Sequence, residues 1–187
     1  MRVRPSGFSL IEILIVLFII SIIATLASVN IGSDNLKDRL ETEVKHLTRV
    51  AEFALDEAQM SGRDYGLLLG VTKNKSEDVF FYRWSSLTRN GWAHPHVDTD
   101  AFADFFFDPR VQVELKLDDS PLEFVDIDAS QSHSTPQVIF YSSGEASPGR
   151  LLWRLKETGE ILCEIEWNIF GEFSFTHKVD DSESLKR

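Results

Sequence analysis

Glu12 is the only charged side chain in the otherwise apolar run 8–27. A carboxylate inside an apolar layer costs on the order of 2.5–3.5 kcal/mol on insertion scales, so such a residue marks a functional position with a partner to be named. The chemistry open to it is charge pairing with a cation at the same depth. Other groups in the chain also invite a chemical reading. His94-Pro95-His96-Val97-Asp98-Thr99-Asp100 places two imidazoles and two carboxylates within seven residues. Zinc or copper accepts such donors, but a plain polar loop accounts for the same composition. Asp98, Asp100, Asp104 and Asp108 suggest calcium, yet the stretch lacks the glycine and the closing glutamate of an EF-hand loop. Ser132-His133-Ser134 hints at a nucleophile and a base. Adjacent residues seldom face each other usefully, and a triad is recognised by geometry in space. Neither a glycine-rich phosphate loop nor a Cys-x-x-Cys pair occurs. The expectation is therefore no catalytic residue, no metal and no cofactor: the chain is not an enzyme.

The element that positions Glu12 must be a helix. The run 8–27 holds twenty residues. At about 1.5 Å per residue these cover roughly 30 Å, the thickness of a bilayer's hydrocarbon core. Arg2 and Arg4 precede the run and no comparable basic cluster follows it immediately. The positive-inside rule then leaves residues 1–7 in the cytoplasm and carries the rest outward. An ordinary secretory signal, cleaved after Thr25-Leu26-Ala27, fits less well. Its apolar region is usually 7–15 residues long and holds no acid.

The stretch Gly7-Phe8-Ser9-Leu10-Ile11-Glu12, behind the basic leader Met1-Arg2-Val3-Arg4-Pro5-Ser6-Gly7, resembles the class III signal of type IV pilin-like proteins, the prepilins and the pseudopilins of type II secretion. The resemblance implies cleavage between Gly7 and Phe8 by a prepilin peptidase and N-methylation of Phe8. Glu12 becomes the fifth residue of the mature chain. Its implied partner is the amino terminus of Phe8 on a neighbouring subunit, so that both charges are neutralised when a subunit enters a filament.

Beyond the apolar run the pattern turns amphipathic. Leu36, Leu40, Val44, Leu47, Ala51, Leu55 and Ala58 recur at three- and four-residue steps, with Lys37, Asp38, Glu41, Lys45, Arg49 and Glu52 opposite. One long helix is predicted from about Ser9 to about Ser61, loosened at Asn30-Ile31-Gly32 and capped by Gly62. From residue 64 the chain reads as strands at 65–72, 79–84, 111–117, 122–127, 137–141, 151–156, 161–167 and 170–177. Turns are expected at Asp118-Asp119-Ser120-Pro121 and Glu157-Thr158-Gly159-Glu160. Long loops are expected at about 85–110 and 128–136. Short strands without intervening helices argue for antiparallel sheets in two packed layers. Together with the resemblance, these patterns imply an α+β, pilin-like fold: a long amino-terminal helix, transmembrane in its first half, on antiparallel sheets. The resemblance also implies four segments: a cleaved leader 1–7, a membrane and assembly half of the helix 8–30, an amphipathic half 31–62, and a periplasmic β-rich domain 63–187.

The external part carries 17 basic and 29 acidic residues once Arg2, Arg4 and Glu12 are set aside, a net charge of −12. That balance opposes nucleic acid, whose phosphates attract Lys and Arg. Cys163, the single cysteine, has no intramolecular partner and must be protected in an oxidising compartment. Ile161, Cys163, Ile165 and Trp167 alternate onto one face against Glu164 and Glu166, so the thiol is read as a small core hydrophobe. Phe102, Phe105, Phe106 and Phe107 form an aromatic cluster with two readings: rings that cap the sheet core, or an exposed contact for a neighbouring subunit or a cargo protein.

Val138-Ile139-Phe140-Tyr141-Ser142-Ser143-Gly144, Leu151-Leu152-Trp153 and Phe170-Gly171-Glu172-Phe173, with Trp92 ahead of them, resemble the domain of H-type minor pseudopilins (the GspH/FimT-like group). This resemblance implies a subunit near the tip of a short periplasmic pseudopilus that helps export folded exoproteins across the outer membrane. Its implied partners are the prepilin peptidase, the major pseudopilin, the other minor pseudopilins of the tip, secreted exoproteins and the inner membrane. The competing implication is a minor pilin of a type IV pilus, with a role in adhesion or DNA uptake.

Overall fold

The computed structural model of the protein describes residues 10–74, 77–96, 100–122, 124 and 134–176. The chain divides into two compact units, residues 1–40 and 41–187. Helix α1, Leu10–Ser61, begins in the first and ends in the second. Its backbone stays helical through Asn30-Ile31-Gly32, so the loosening expected there is absent. A single glycine inside a helix costs only about 1 kcal/mol against alanine, too little to break a run this long. Gly62, at φ +65, ends the helix in the left-handed conformation that glycine adopts without strain.

In the first unit the side chains of residues 10–23 stand out from the helix. Their large apolar members are between 46% and 82% exposed.

Among the described residues the second unit holds the end of α1 and ten strands: β1 Tyr65–Asn74, β2 Glu77–Thr88, β3 Gly91–Ala93, β4 Phe105–Phe106, β5 Val111–Leu117, β6 Ser120–Leu122, β7 Val138–Phe140, β8 Gly149–Leu155, β9 Ile161–Trp167 and β10 Phe173–Thr176. A short 3-10 helix, Asp100–Phe102, precedes β4. The first sheet has the order β3-β2-β1-β7, with β4 also pairing β2; the second runs β10-β9-β8-β5-β6. Every pairing among the described residues is antiparallel.

Burial follows the side-chain alternation of each strand. In the second sheet Val111, Val113, Leu115, Leu151, Trp153, Cys163, Ile165 and Trp167 are buried. On the opposite face Arg154 bonds Glu114 at 2.9 Å and Arg150 lies 3.4 Å from both Glu164 and Glu166. In the first sheet Tyr65, Leu67, Leu69, Tyr82 and Trp84 share the face that meets the aromatic core. Phe107 joins the sheets, with its ring 5.9 Å from Tyr82 and 6.1 Å from Trp153. The buried stripe of α1 in this unit is Val44, Leu47, Val50, Ala51, Ala54, Leu55 and Ala58. The helix meets both sheets: Tyr82 of β2 donates to Glu43 at 2.6 Å, and Lys45 lies over the Phe175 ring of β10 at 5.9 Å.

Several expectations need correction. Segment 85–110 is not one loop; it carries the end of β2, β3, the 3-10 turn and β4. Strands of two or three residues show too little alternation to stand out in a sequence. The expected strand 122–127 appears as β6, Ser120–Leu122; its remainder lies mostly outside the described residues, as does most of 128–136. Asp118 and Asp119, at φ 49 and 60, form the two-residue turn between β5 and β6. Both residues left-handed matches the hairpin turn whose twist suits antiparallel strands, and aspartate tolerates that conformation. The clean alternation expected along 161–167 is interrupted as well. A register shift at Trp153/Arg154 leaves Leu162 as the extra residue between Ile161 and Cys163. Leu162 and Cys163 are therefore both buried, and Ile161 is only half-buried.

Candidate functional site

The first candidate is the amino-terminal half of α1. Glu12 sits in its first turn, among exposed Leu10, Ile11, Ile13 and Leu14. A helix with apolar side chains bare on every side is not a water-facing helix; its surface calls for lipid or for other helices. Among the described residues no helix is long and apolar enough to cross a membrane. The apolar stretch with described side chains covers residues 10–23, and the run 8–27 extends past it at both ends. Gly7 and Phe8 lie outside the described residues.

The aromatic cluster is mostly core. Phe102 is 1% exposed and Phe107 3%. Phe102 packs against Phe53, Tyr65 and Trp84 at 5.5–5.7 Å between ring centroids. Phe105 is half-buried on Tyr82 and Phe107. Phe106 alone is at the surface, 48% exposed, with Phe81 5.5 Å away. Phe102 and Phe107 are thus core rings and not an exposed partner contact, while Phe105 keeps part of its ring at the surface. Three of the four rings turn inward along β4 and the 3-10 turn, and Phe106 faces the other way; aromatic area is worth most when buried.

The metal-like residues do not converge. Among the described residues no group of three or more potential ligands could hold an ion. His94, His96 and Asp100 are exposed, and 97–99 lie outside the described residues. Asp104 accepts a forked pair from Arg83, at 2.6–3.0 Å, and this bonding raises the affinity of the guanidinium for its proton. Asp108 is held by Arg110 at 2.9 Å. Carboxylates already paired with arginine are poor candidates for calcium. Ser132 and His133 lie outside the described residues. Cys163 is buried, 4% exposed, as expected of a core thiol.

Two features escaped the sequence. Burial, and then the bond to Glu43, push the Tyr82 hydroxyl well above its ordinary value, which marks a structural clasp between α1 and β2. The second is the turn at 168–171. It lies where a strand from residue 170 was expected, whereas β10 starts at Phe173. Asn168 followed three residues later by Gly171 is the turn signal that identifies it.

A sequence profile of the prokaryotic N-terminal methylation motif matches residues 2–28, and that of the type II transport protein GspH family matches residues 43–164. The chain belongs to the type II transport protein GspH family. Relatives of this GspH chain include the type II secretion system protein H of Pseudomonas aeruginosa, 30% identical over 162 residues, which cover 82% of this chain and 84% of that protein. The type II secretion system protein H of Escherichia coli K12 is 24% identical, over 88% of this chain and 92% of that protein. Among solved structures, the minor pseudopilin EpsH from the type II secretion system of Vibrio cholerae superposes with a TM-score of 0.58 at 19% identity, covering 75% of this chain and 94% of that one. At that identity the likeness establishes the pilin-like fold.

Proposed function

We propose that this chain is a minor pseudopilin of the type II secretion system, a subunit near the tip of a periplasmic pseudopilus that helps move folded exoproteins across the outer membrane. It acts by assembly, not by catalysis. Residues 1–7 are a leader removed by a prepilin peptidase, 8–30 are the membrane and assembly half of the helix, 31–62 its amphipathic half, and 63–187 the periplasmic domain. Its partners are the major pseudopilin, the other minor pseudopilins and the bacterial inner membrane, with exoproteins as passing contacts. One observation carries this: a methylation motif at 2–28 and a GspH region at 43–164 occur in one chain, in the order a pseudopilin requires. A minor pilin of a type IV pilus is not favoured, because both relatives bear the name of the secretion subunit.

Processing tests this directly. A peptidase that reads Gly-Phe needs the small residue so that its catalytic centre can approach the backbone, and Gly7 is the only glycine ahead of the apolar run. Mass spectrometry of the mature protein is expected to find N-methyl-Phe8 at its amino terminus. Gly7→Val is expected to yield an uncleaved membrane protein. A mature chain starting at Ser28 would instead identify an ordinary secretory signal.

A further inference from the structure

The second unit presents an apolar surface where α1 finishes. Phe170 is 68% exposed and Ile169 46%, side by side in the turn 168–171. Met60, on the last turn of α1, is 84% exposed, and Tyr141 is 37% exposed. Isolated exposed apolar residues need no explanation. Ile169 and Phe170 differ because their display is built.

Asn168 holds the turn from several directions. Its Oδ1 accepts from the backbone N–H groups of Phe170 and Glu172, at 2.9 and 3.1 Å, and its Nδ2 donates to the Glu172 carboxylate at 2.7 Å. The Gly171 N–H closes the turn on the Asn168 carbonyl at 3.0 Å. Gly171 is left-handed, at φ +70, and a Cβ there would meet the Leu55 side chain at 2.6 Å. The turn is therefore seated on α1. The Ala146 N–H donates to the Ile169 carbonyl at 2.8 Å, and a Cβ on Gly144 would lie 3.2 Å from the Gln59 side chain. Three segments, 55–64, 141–146 and 168–172, converge to hold two large apolar side chains in water. A rigid apolar display loses little freedom on docking, which is how an interface anchor gains affinity.

Charge selects the occupant. These three segments carry five carboxylates, Asp56, Glu57, Asp64, Glu145 and Glu172, against one guanidinium, Arg63. A second copy docked through the same face would set those carboxylates against each other. Anionic lipid headgroups would be repelled as well. A protein face with an apolar socket flanked by lysine or arginine fits.

We propose that this surface, centred on Ile169 and Phe170, docks another subunit of the pseudopilus whose contact face is apolar and basic. The proposal rests on the pseudopilin function given above and names the partner face. The full chain, in cells with a working secretion apparatus, would carry a photoreactive phenylalanine analogue at Phe170, or at exposed Glu157 in the β8–β9 turn as the control. The expected result is an adduct with another pseudopilin, identified by mass spectrometry, about tenfold more abundant from position 170 than from 157, as a central anchor would give. Glu145→Lys, which reverses one charge on an exposed side chain, is expected to reduce that adduct several-fold. Equal adducts from both positions, a main adduct with a second copy or with a secreted protein, or indifference to Glu145→Lys would overturn it. The mature amino terminus and the secretion of a reporter exoprotein are read in the same cells. If both are normal and the adduct is absent, the docking surface alone fails. If they fail, the pseudopilin function fails whatever the adducts show.

Discussion

Glu12→Ala is expected to be inserted and cleaved like the parent and then to fail in assembly. Removing the charge makes the apolar segment easier to insert, by at most roughly 2.5–3.5 kcal/mol, the cost on insertion scales of a charge at the centre of a spanning helix. The leader and the Gly7-Phe8 bond are untouched, so processing continues. What is lost is the carboxylate that would meet the new amino terminus of a neighbouring subunit at the same depth. A charge pair in low dielectric is strongly favoured over two unpaired charges, so its loss falls on the aligned state and not on the free subunit. Crosslinking of the mature variant to the major pseudopilin is expected to fall about tenfold, the equivalent of ~1.4 kcal/mol. Secretion of a reporter exoprotein should fall with it. Glu12→Asp keeps the charge with a reach shorter by one methylene and should be intermediate. A Glu12→Ala chain that crosslinks and secretes like the parent would show that the carboxylate is not the alignment device.

Trp153→Ala is the substitution expected to cost the second unit most. Trp153 is fully buried on β8, opposite Val113 of β5 and Cys163 of β9, with Phe107 against its ring. Truncating a buried tryptophan to alanine costs about 3–5 kcal/mol. Domains of this size are stable by only about 5–15 kcal/mol, so a large share of the total would go. The effect is measurable as a lowered urea midpoint in a chain that starts at residue 31, whose circular dichroism should show sheet with one helix. Trp153→Phe should be milder for a specific reason. Among the described residues the Trp153 Nε1–H is buried without a hydrogen-bond partner, and phenylalanine removes that unsatisfied donor with part of the ring. A loss below about 1 kcal/mol for Trp153→Ala would mean that packing around Trp153 is not what holds the sheets together.

Much of this fold can be read from patterns that are local and repeated. The three- and four-residue spacing from Leu36 to Ala58, with Gly62 after it, predicts a helix ending at Ser61, and that is where α1 ends. Strand 111–117 alternates over seven residues and occurs with those bounds, and 161–167 occurs with its expected bounds although the bulge at Leu162 breaks its alternation. What could not be read depends on distant partners. β3 and β4 have no pattern of their own; they are strands because β2 offers an edge. The Phe102 and Phe107 rings look alike in sequence whether buried or bare, and their burial is decided by Trp84, Tyr65 and Trp153 arriving from elsewhere. Phe170 is the opposite case, a ring that a strand pattern would bury and that the Asn168 turn turns outward. Gly7, Phe8 and Glu12 are legible for another reason. The roles proposed for them rest on a short motif, matched over residues 2–28, and on one charge in an apolar run, and neither needs tertiary structure to be seen.

The most direct test of the central claim is the location of a reporter exoprotein when this chain is deleted in its own host. A minor pseudopilin is expected to leave the exoprotein folded in the periplasm, with release restored by the intact chain and not by Gly7→Val. Unchanged secretion together with lost surface pili would contradict the account and assign the chain to a type IV pilus.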